Sequence, residues 1–165
     1  MAEPFTIVST TLAATSHAFG LGQQCYELIN GIKGAPDNIN RLATDLKGLY
    51  TILGTLQAVL ESEDAKKRQT IIPNHMVSNV KELVDNCVKL FVDVNMVVKP
   101  YTGADGRALR SNWKGFRWEF KKGSVEALQR TLSQYKLTLD LACSSLSLYV
   151  DPRIYTSPTE LLDSS

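Results

Sequence analysis

The stretch PFTIVSTTLAATSHAFGLGQQCYELINGIK, residues 4–33, decides how the rest of the chain is interpreted. It contains no formally charged residue before Glu27. On a helical projection, small and neutral side chains fall on one narrow stripe, at spacings of three and four: Thr6, Ser9, Thr10, Ala13, Ser16, His17, Gly20, Gln23 and Gln24. Apolar side chains cover most of the remaining surface. This pattern predicts a helix that is either mostly surrounded by other helices or able to leave them for the boundary of a bilayer.

The second helix has the most regular apolar pattern of the chain. Pro36 ends the first helix, and Asp37 can cap the next one. Apolar residues then alternate at spacings of three and four: Ile39, Leu42, Leu46, Leu49, Leu53, Leu56 and Leu60. The charged tract ESEDAKKRQ, residues 61–69, is predicted to be a solvated loop whose first residues can extend the helix.

Two more long helices follow, separated by a shorter basic one. A third helix begins after Pro73, and its periodic apolar residues continue to about residue 97. The basic helix begins near Arg107. Gly123 and Ser124 are predicted to mark a kink or a break, with Ser124 as the cap of a last helix that reaches Tyr149. We therefore expect an all-α fold, an antiparallel helical bundle over residues 1–150, with residues 151–165 as a linker or C-terminal tail.

Composition and motifs favour a non-enzymatic, cytoplasmic protein. The net charge of +1 over 165 residues gives no global attraction to nucleic acid or membrane. No nucleophile–base pair, glycine-rich phosphate loop or paired carboxylates stand out, so we expect neither an enzyme nor a cofactor. The three cysteines are predicted to be buried in a reducing compartment, and two isolated histidines are too few for a metal site. Neither a secretory signal nor a conventional membrane span is visible.

The basic stretch RALRSNWKGFRWEFKK, residues 107–122, leaves three interpretations open. It can be an ordinary solvated helix face, with its aromatic residues in the core. It can contact anionic lipid headgroups or an acidic protein, since each basic residue near an anionic surface contributes about 1 kcal/mol. Contact with nucleic acid is the third interpretation, and no recognised nucleic-acid motif supports it.

The chain resembles the HeLo-like N-terminal domains of fungal STAND and ankyrin-repeat proteins. The resemblance lies in the opening MAEPFTIVST, in the leucine-rich helix after Pro36, and in the pattern that starts Trp113…Phe116-Arg117-Trp118 and continues to Leu139. It implies a helical bundle that acts as a cell-death or heterokaryon-incompatibility effector, with a remote similarity to the four-helix bundle of the mixed-lineage kinase-like pseudokinase. Such domains are held inactive, oligomerise through an attached sensor region, and attack the plasma membrane with the N-terminal helix.

The leading functional hypothesis is therefore a signalling domain that self-associates, responds to a regulatory or sensor domain, and conditionally targets anionic lipid at the plasma membrane. The residues expected to insert into lipid are Phe5, Ile7, Val8, Leu12 and Phe19. The residues expected to form a basic face for lipid or a partner are Arg107, Arg110, Lys114, Arg117, Lys121 and Lys122. If several copies formed an aqueous path, Glu27 would be the first charge near one mouth. The alternative hypothesis is a protein-interaction adaptor whose first helix stays packed, whose basic face docks an acidic partner, and which does not permeabilise membranes.

Overall fold

The computed structural model describes residues 4–31, 37–68, 71–98 and 122–150, and every regular element in these residues is a helix. The helices are α1 (Pro4–Asn30), α2 (Asp37–Glu61), α3 (Glu63–Lys67), α4 (Asn74–Val98) and α5 (Lys122–Val150). Four of them are long, which confirms the expected all-α bundle. The shorter basic helix predicted near Arg107 lies outside the described residues.

The four long helices stand at the corners of a square. Helices α2 and α4 each pack against both α1 and α5, so α1 and α5 occupy opposite corners. Helix α1 runs antiparallel to α2, because Phe19 meets Gly54 whereas Tyr26 lies beside Lys47. Among the described helices, α1 therefore occupies a corner and packs against two neighbours, α2 and α4.

Helices α2 and α5 are parallel neighbours. Near the middle of both helices, Gly48 of α2 lies under the side chain of Lys136 of α5. Near their ends, Val59 and Ser147 border the same pocket. This arrangement arises because the chain crosses the diagonal of the square between α2 and α4, so consecutive long helices stay antiparallel while α5 returns alongside α2.

The core forms where the apolar periodicity predicted it. All seven apolar residues of the α2 pattern are buried: Ile39, Leu42, Leu46, Leu49, Leu53, Leu56 and Leu60. Helix α4 adds Val84 and Phe91, both fully buried, beside the equally buried Val80, Cys87 and Val94. A continuous leucine face on α2 thus supplies the surface on which both α1 and α5 rest.

Two local predictions were wrong. The tract expected to be a loop contains α3, because Ser62 caps it by accepting a hydrogen bond from the Ala65 N–H at 3.1 Å, and Ala65 is fully buried. Acidic residues in its first turn and lysines in its last turn also favour this short helix. Helix α5 begins at Lys122 and continues through Gly123 and Ser124, so Ser124 is not its cap. Packing of the long apolar face that follows outweighs the modest cost of one helical glycine.

Candidate functional site

The outer face of α1 is an uncharged surface. The predicted stripe faces solvent, with these members exposed: Ser9, Thr10, Ala13, His17, Gln23 and Gln24. Glu27, where the first charge of the helix occurs, is also exposed. A helix face that only met water would ordinarily carry lysine and glutamate. The α1 stripe therefore has the chemistry of a contact surface rather than that of a typical solvated face.

The inner face of α1 is built mainly from small side chains. The innermost line follows spacings of three and four through Val8, Thr11, Thr15, Ala18, Gly22, Cys25 and Ile29. Sequence reasoning did not place Thr11, Thr15 or Gly22 on this line, because it sorted residues by polarity rather than by size. Their spacing could have predicted this burial, because Thr11, Thr15, Ala18 and Gly22 follow one another at intervals of three and four residues.

Both buried threonines satisfy their hydroxyl groups within α1. The Thr11 hydroxyl donates to the Ile7 carbonyl at 2.8 Å, and the Thr15 hydroxyl donates to the Thr11 carbonyl at 2.7 Å. Both residues are 0% exposed, so an unsatisfied hydroxyl at either position would be costly. Because donor and acceptor belong to the same helix, neither bond depends on α2 or α4.

At Gly22, α1 approaches both of its neighbours, α2 and α4, closely. A Cβ atom added there would lie 2.8 Å from the Tyr50 Cβ and 2.9 Å from the Phe91 Cζ. The Tyr50 Cβ is fixed to the α2 backbone, so it cannot move aside without moving the helix. Gly20, two residues earlier, has no atom within 4 Å of such a Cβ.

An aromatic cluster holds α1 against α2 beside Gly22. The Phe19 ring meets the Tyr50 ring edge-on, with centroids 5.8 Å apart, and Tyr26 lies 5.7 Å from the same ring. The Lys47 ammonium lies 5.8 Å from the Tyr26 centroid, close enough for a cation–π contact. These contacts and the apolar surface hold α1 in place. A bond from the Cys25 thiol to the Phe91 carbonyl, at 3.2 Å, links it to α4.

The residues predicted to enter lipid are packed in the bundle. Val8 is buried, whereas Ile7, Leu12 and Phe19 are partly buried against the core. Phe5 belongs to α1, but its side chain lies outside the described residues. Of the predicted basic face, Lys122 is the first residue of α5, and the others lie outside the described residues: Arg107, Arg110, Lys114, Arg117 and Lys121. The described α1 residues thus lie together on one inner face. That they act jointly with the basic residues stays a prediction.

The cysteines are buried thiols, as predicted. Burial raises the pKa of Cys25 and of Cys87 to about 12. The pKa of Cys143 is also raised, first by burial and then by the negative charge of Asp140. All three thiols are free and stay protonated near neutral pH. No cluster of three or more metal-ligating side chains occurs within the described residues.

Two grooves open on the α2 side of α5. The larger, of about 840 Å³, lies between the first halves of α2 and α5, and its lining mixes acids, arginines and neutral polar groups. Asp37, Asp45 and Glu126 line it together with Arg41 and Arg130, so charges of both signs share the groove. The smaller, of about 420 Å³, lies at the other end, beside Val59 and Val150, and is mainly apolar. Neither groove contains a nucleophile paired with a base.

Comparison with known proteins gives a family for this bundle. Residues 2–156 match the family described as pigment biosynthesis cluster protein PigL, N-terminal. The chain belongs to this family. The match spans all five described helices, so the bundle is a fungal-type pigment-cluster domain. No curated protein and no solved structure matches the chain.

Membership of the PigL N-terminal family leaves the HeLo-like relationship as a prediction. The family description names a biosynthetic cluster and a position, and neither word describes a membrane or a signalling event. Among the described helices, none combines the length and the apolar character that crossing a bilayer demands.

Proposed function

We propose that this PigL N-terminal domain is a non-enzymatic signalling module of HeLo-like type, in which α1 leaves the bundle and inserts into anionic membrane. The Cys25 thiol of α1 donates to α4 at the Phe91 carbonyl. The observation that carries the proposal is the internal satisfaction of the two buried hydroxyls of α1. Its buried hydroxyls, on Thr11 and Thr15, bond to carbonyls of the same helix. No formally charged residue occurs between Pro4 and Tyr26. Transfer of this segment into a low-dielectric boundary thus breaks no buried polar pair at either threonine and buries no formal charge.

The free-energy cost of releasing α1 from the bundle follows from the apolar side chains on its inner face. Val8 and Ile29 are buried, and each such side chain costs about 1.5–3 kcal/mol when it is moved into water. Partly buried neighbours such as Leu12 and Phe19 add to that cost. Release into water is therefore unfavourable and keeps α1 packed in the resting state. Lipid offsets the cost, because it buries the same apolar surface again.

The proposal also has to explain how the domain reaches the membrane and what triggers the release of α1. The basic residues from Arg107 to Lys122 attract anionic headgroups, at about 1 kcal/mol per basic residue near the surface. Self-association of several copies brings their released helices together. With the apolar faces in lipid, the uncharged stripes then face one another and line an aqueous path, with Glu27 near one mouth. A sensor region in the same or a partner protein supplies the trigger.

Paired glycine substitutions in α1 test the proposal. Gly22→Ala pushes α1 away from Tyr50 and Phe91, whereas Gly20→Ala meets nothing within 4 Å and serves as the matched control. Dye leakage is measured from liposomes that contain anionic lipid, with helicity checked for both proteins. We expect Gly22→Ala to cause faster leakage than the unaltered chain, and Gly20→Ala to cause equal or slower leakage. Absence of leakage from all three proteins, even when a fused multimeric tag forces them together, would contradict the proposal.

The second candidate function is a protein-interaction adaptor in which α1 never leaves. The exposed uncharged stripe favours it, because residues such as Ala13 and His17 are accessible without any rearrangement of the bundle. In this account the stripe docks a neutral protein surface. The adaptor predicts that the Cys25 thiol stays unreactive toward a thiol reagent whether or not anionic vesicles are present. The effector account predicts that vesicles speed the labelling of Cys25, because the thiol leaves the protection of α2 and α4 each time α1 passes from the bundle to the lipid.

A further inference from the structure

Helix α5 carries an apolar patch on its outer face that no described helix covers. Leu137, Leu141 and Leu148 are 64%, 62% and 57% exposed. Their spacings of four and seven place them on one side of the helix. Ser144 and Ser145, both exposed, lie between the last two leucines. Exposed leucines are ordinary one at a time, but three on one helix face form a contact surface.

The patch is almost free of charge. From Gln134 to Leu148 the sequence contains one cation, Lys136, and one anion, Asp140. The Lys136 side chain lies over Gly48 of α2, which directs it away from the leucines. A neutral patch gives no electrostatic preference for an acidic or a basic partner, and it matches a surface that is equally neutral.

We propose that this α5 patch binds a second copy of the chain, with the two α5 helices antiparallel about a two-fold axis. The pattern is self-complementary about the point between Ala142 and Cys143. An antiparallel copy placed there sets Leu137 against Leu148 of the partner copy, and Leu141 against its Ser144. Each large side chain thus meets either another leucine or a small residue, which permits close helix packing. The two-fold arrangement repeats every contact twice, as in isologous dimers.

The size of the patch predicts a weak, concentration-dependent dimer. The segment 134–148 is about 22 Å long, and a helix with its side chains is about 10 Å wide. The contact area is therefore a few hundred Å², well below the roughly 800 Å² per partner of a standard stable interface. The patch lies on the corner opposite α1, so pairing through α5 leaves α1 free. The dimer itself is argued from the α5 patch alone. Only its role, which is to bring copies together at a membrane, rests on the proposed function.

The test is sedimentation velocity on the full chain over a hundredfold range of concentration, without lipid. Leu141→Glu and Ser144→Lys are made as separate variants, both at exposed positions that preserve the fold. Ala127→Glu is the matched control, since Ala127 is exposed on the same side of α5 but lies almost four turns before Leu141. We expect the unaltered chain and Ala127→Glu to shift toward dimer as concentration rises. Leu141→Glu and Ser144→Lys should each dimerise at least tenfold more weakly.

An equal mixture of Leu141→Glu and Ser144→Lys should regain dimer, because the antiparallel register sets the new glutamate against the new lysine. A monomeric unaltered chain at every concentration would overturn the proposal, and would mean that another part of the chain or another partner covers the patch. Undiminished association of Leu141→Glu, or no recovery in the mixture, would also overturn it. Leakage by a monomeric Leu141→Glu protein would reject the role of the dimer in leakage but leave the proposed membrane activity intact.

Discussion

Replacing Gly22 by alanine should loosen α1, although alanine is the better helix former. Alanine favours a helix interior over glycine by about 0.8–1.0 kcal/mol. At Gly20 the added methyl meets nothing within 4 Å, so Gly20→Ala should gain most of that amount. At Gly22 the methyl would lie 2.8 Å from the Tyr50 Cβ and 2.9 Å from the Phe91 ring. Overpacking of this kind costs about 1–3 kcal/mol. The two variants should therefore differ in unfolding free energy by about 1–3 kcal/mol, with Gly22→Ala the less stable.

Urea denaturation followed by far-ultraviolet circular dichroism measures this difference. Thermal midpoints should separate in the same order, by about 2–4 °C for each kcal/mol in a chain of this size. Gly54→Ala gives an internal calibration, because its Cβ would lie 3.1 Å from the Phe19 Cε2, and a ring edge can shift slightly. Its stability should fall between the other two. If Gly22→Ala proved as stable as Gly20→Ala, the close packing of α1 on α2 and α4 would be refuted.

Two further predictions concern buried thiols and the cap of α3. Folded Cys25 and Cys87 have pKa values of about 12 against 9.0 for an unburied thiol, so between pH 9 and 12 only the unfolded state loses those protons. Stability should then fall as pH rises, by up to about 1.4 kcal/mol per pH unit for each thiol, and the double variant Cys25→Ala/Cys87→Ala should show a shallower slope. An unchanged slope would contradict the burial of the thiols. Ser62→Ala removes the hydroxyl that accepts from the Ala65 N–H, so hydrogen exchange at that amide should accelerate and stability should drop by about 0.5–2 kcal/mol. Unaltered exchange at Ala65 would exclude the cap.

The sequence predicts the bundle because its apolar spacing is strong and local. The seven apolar positions from Ile39 to Leu60 are all buried, since a regular spacing of three and four leaves one face for the core. The uncharged stripe of α1 is also exposed where the projection put it. The need for small side chains on the inner face of α1 was harder to predict than the polarity of its outer face. Thr11 and Thr15 are buried because α1 packs closely, and only the positions of Tyr50 and Phe91 reveal that closeness.

Tertiary contacts explain what the sequence pattern missed. The charged tract after α2 forms α3 because Ala65 finds a buried site against the bundle, which no local pattern indicates. Helix α5 starts at Lys122 for a similar reason, since its long packed face stabilises a first turn that contains Gly123. The corner position of α1 depends on the diagonal connection between α2 and α4, and periodicity alone does not determine which helices are neighbours.

The most direct test of the central claim, that α1 leaves the bundle at a membrane, is a reversible lock between α1 and α2. In the double variant Gly22→Cys/Tyr50→Cys, the two Cβ atoms start 2.8 Å apart, so a modest widening reaches the roughly 3.8 Å of a disulfide. Leakage from anionic liposomes is measured for the oxidised protein and again after reduction, beside the unaltered chain. We expect no leakage while the disulfide is closed and leakage once it is reduced. Equal leakage from the oxidised and reduced protein would contradict the release of α1.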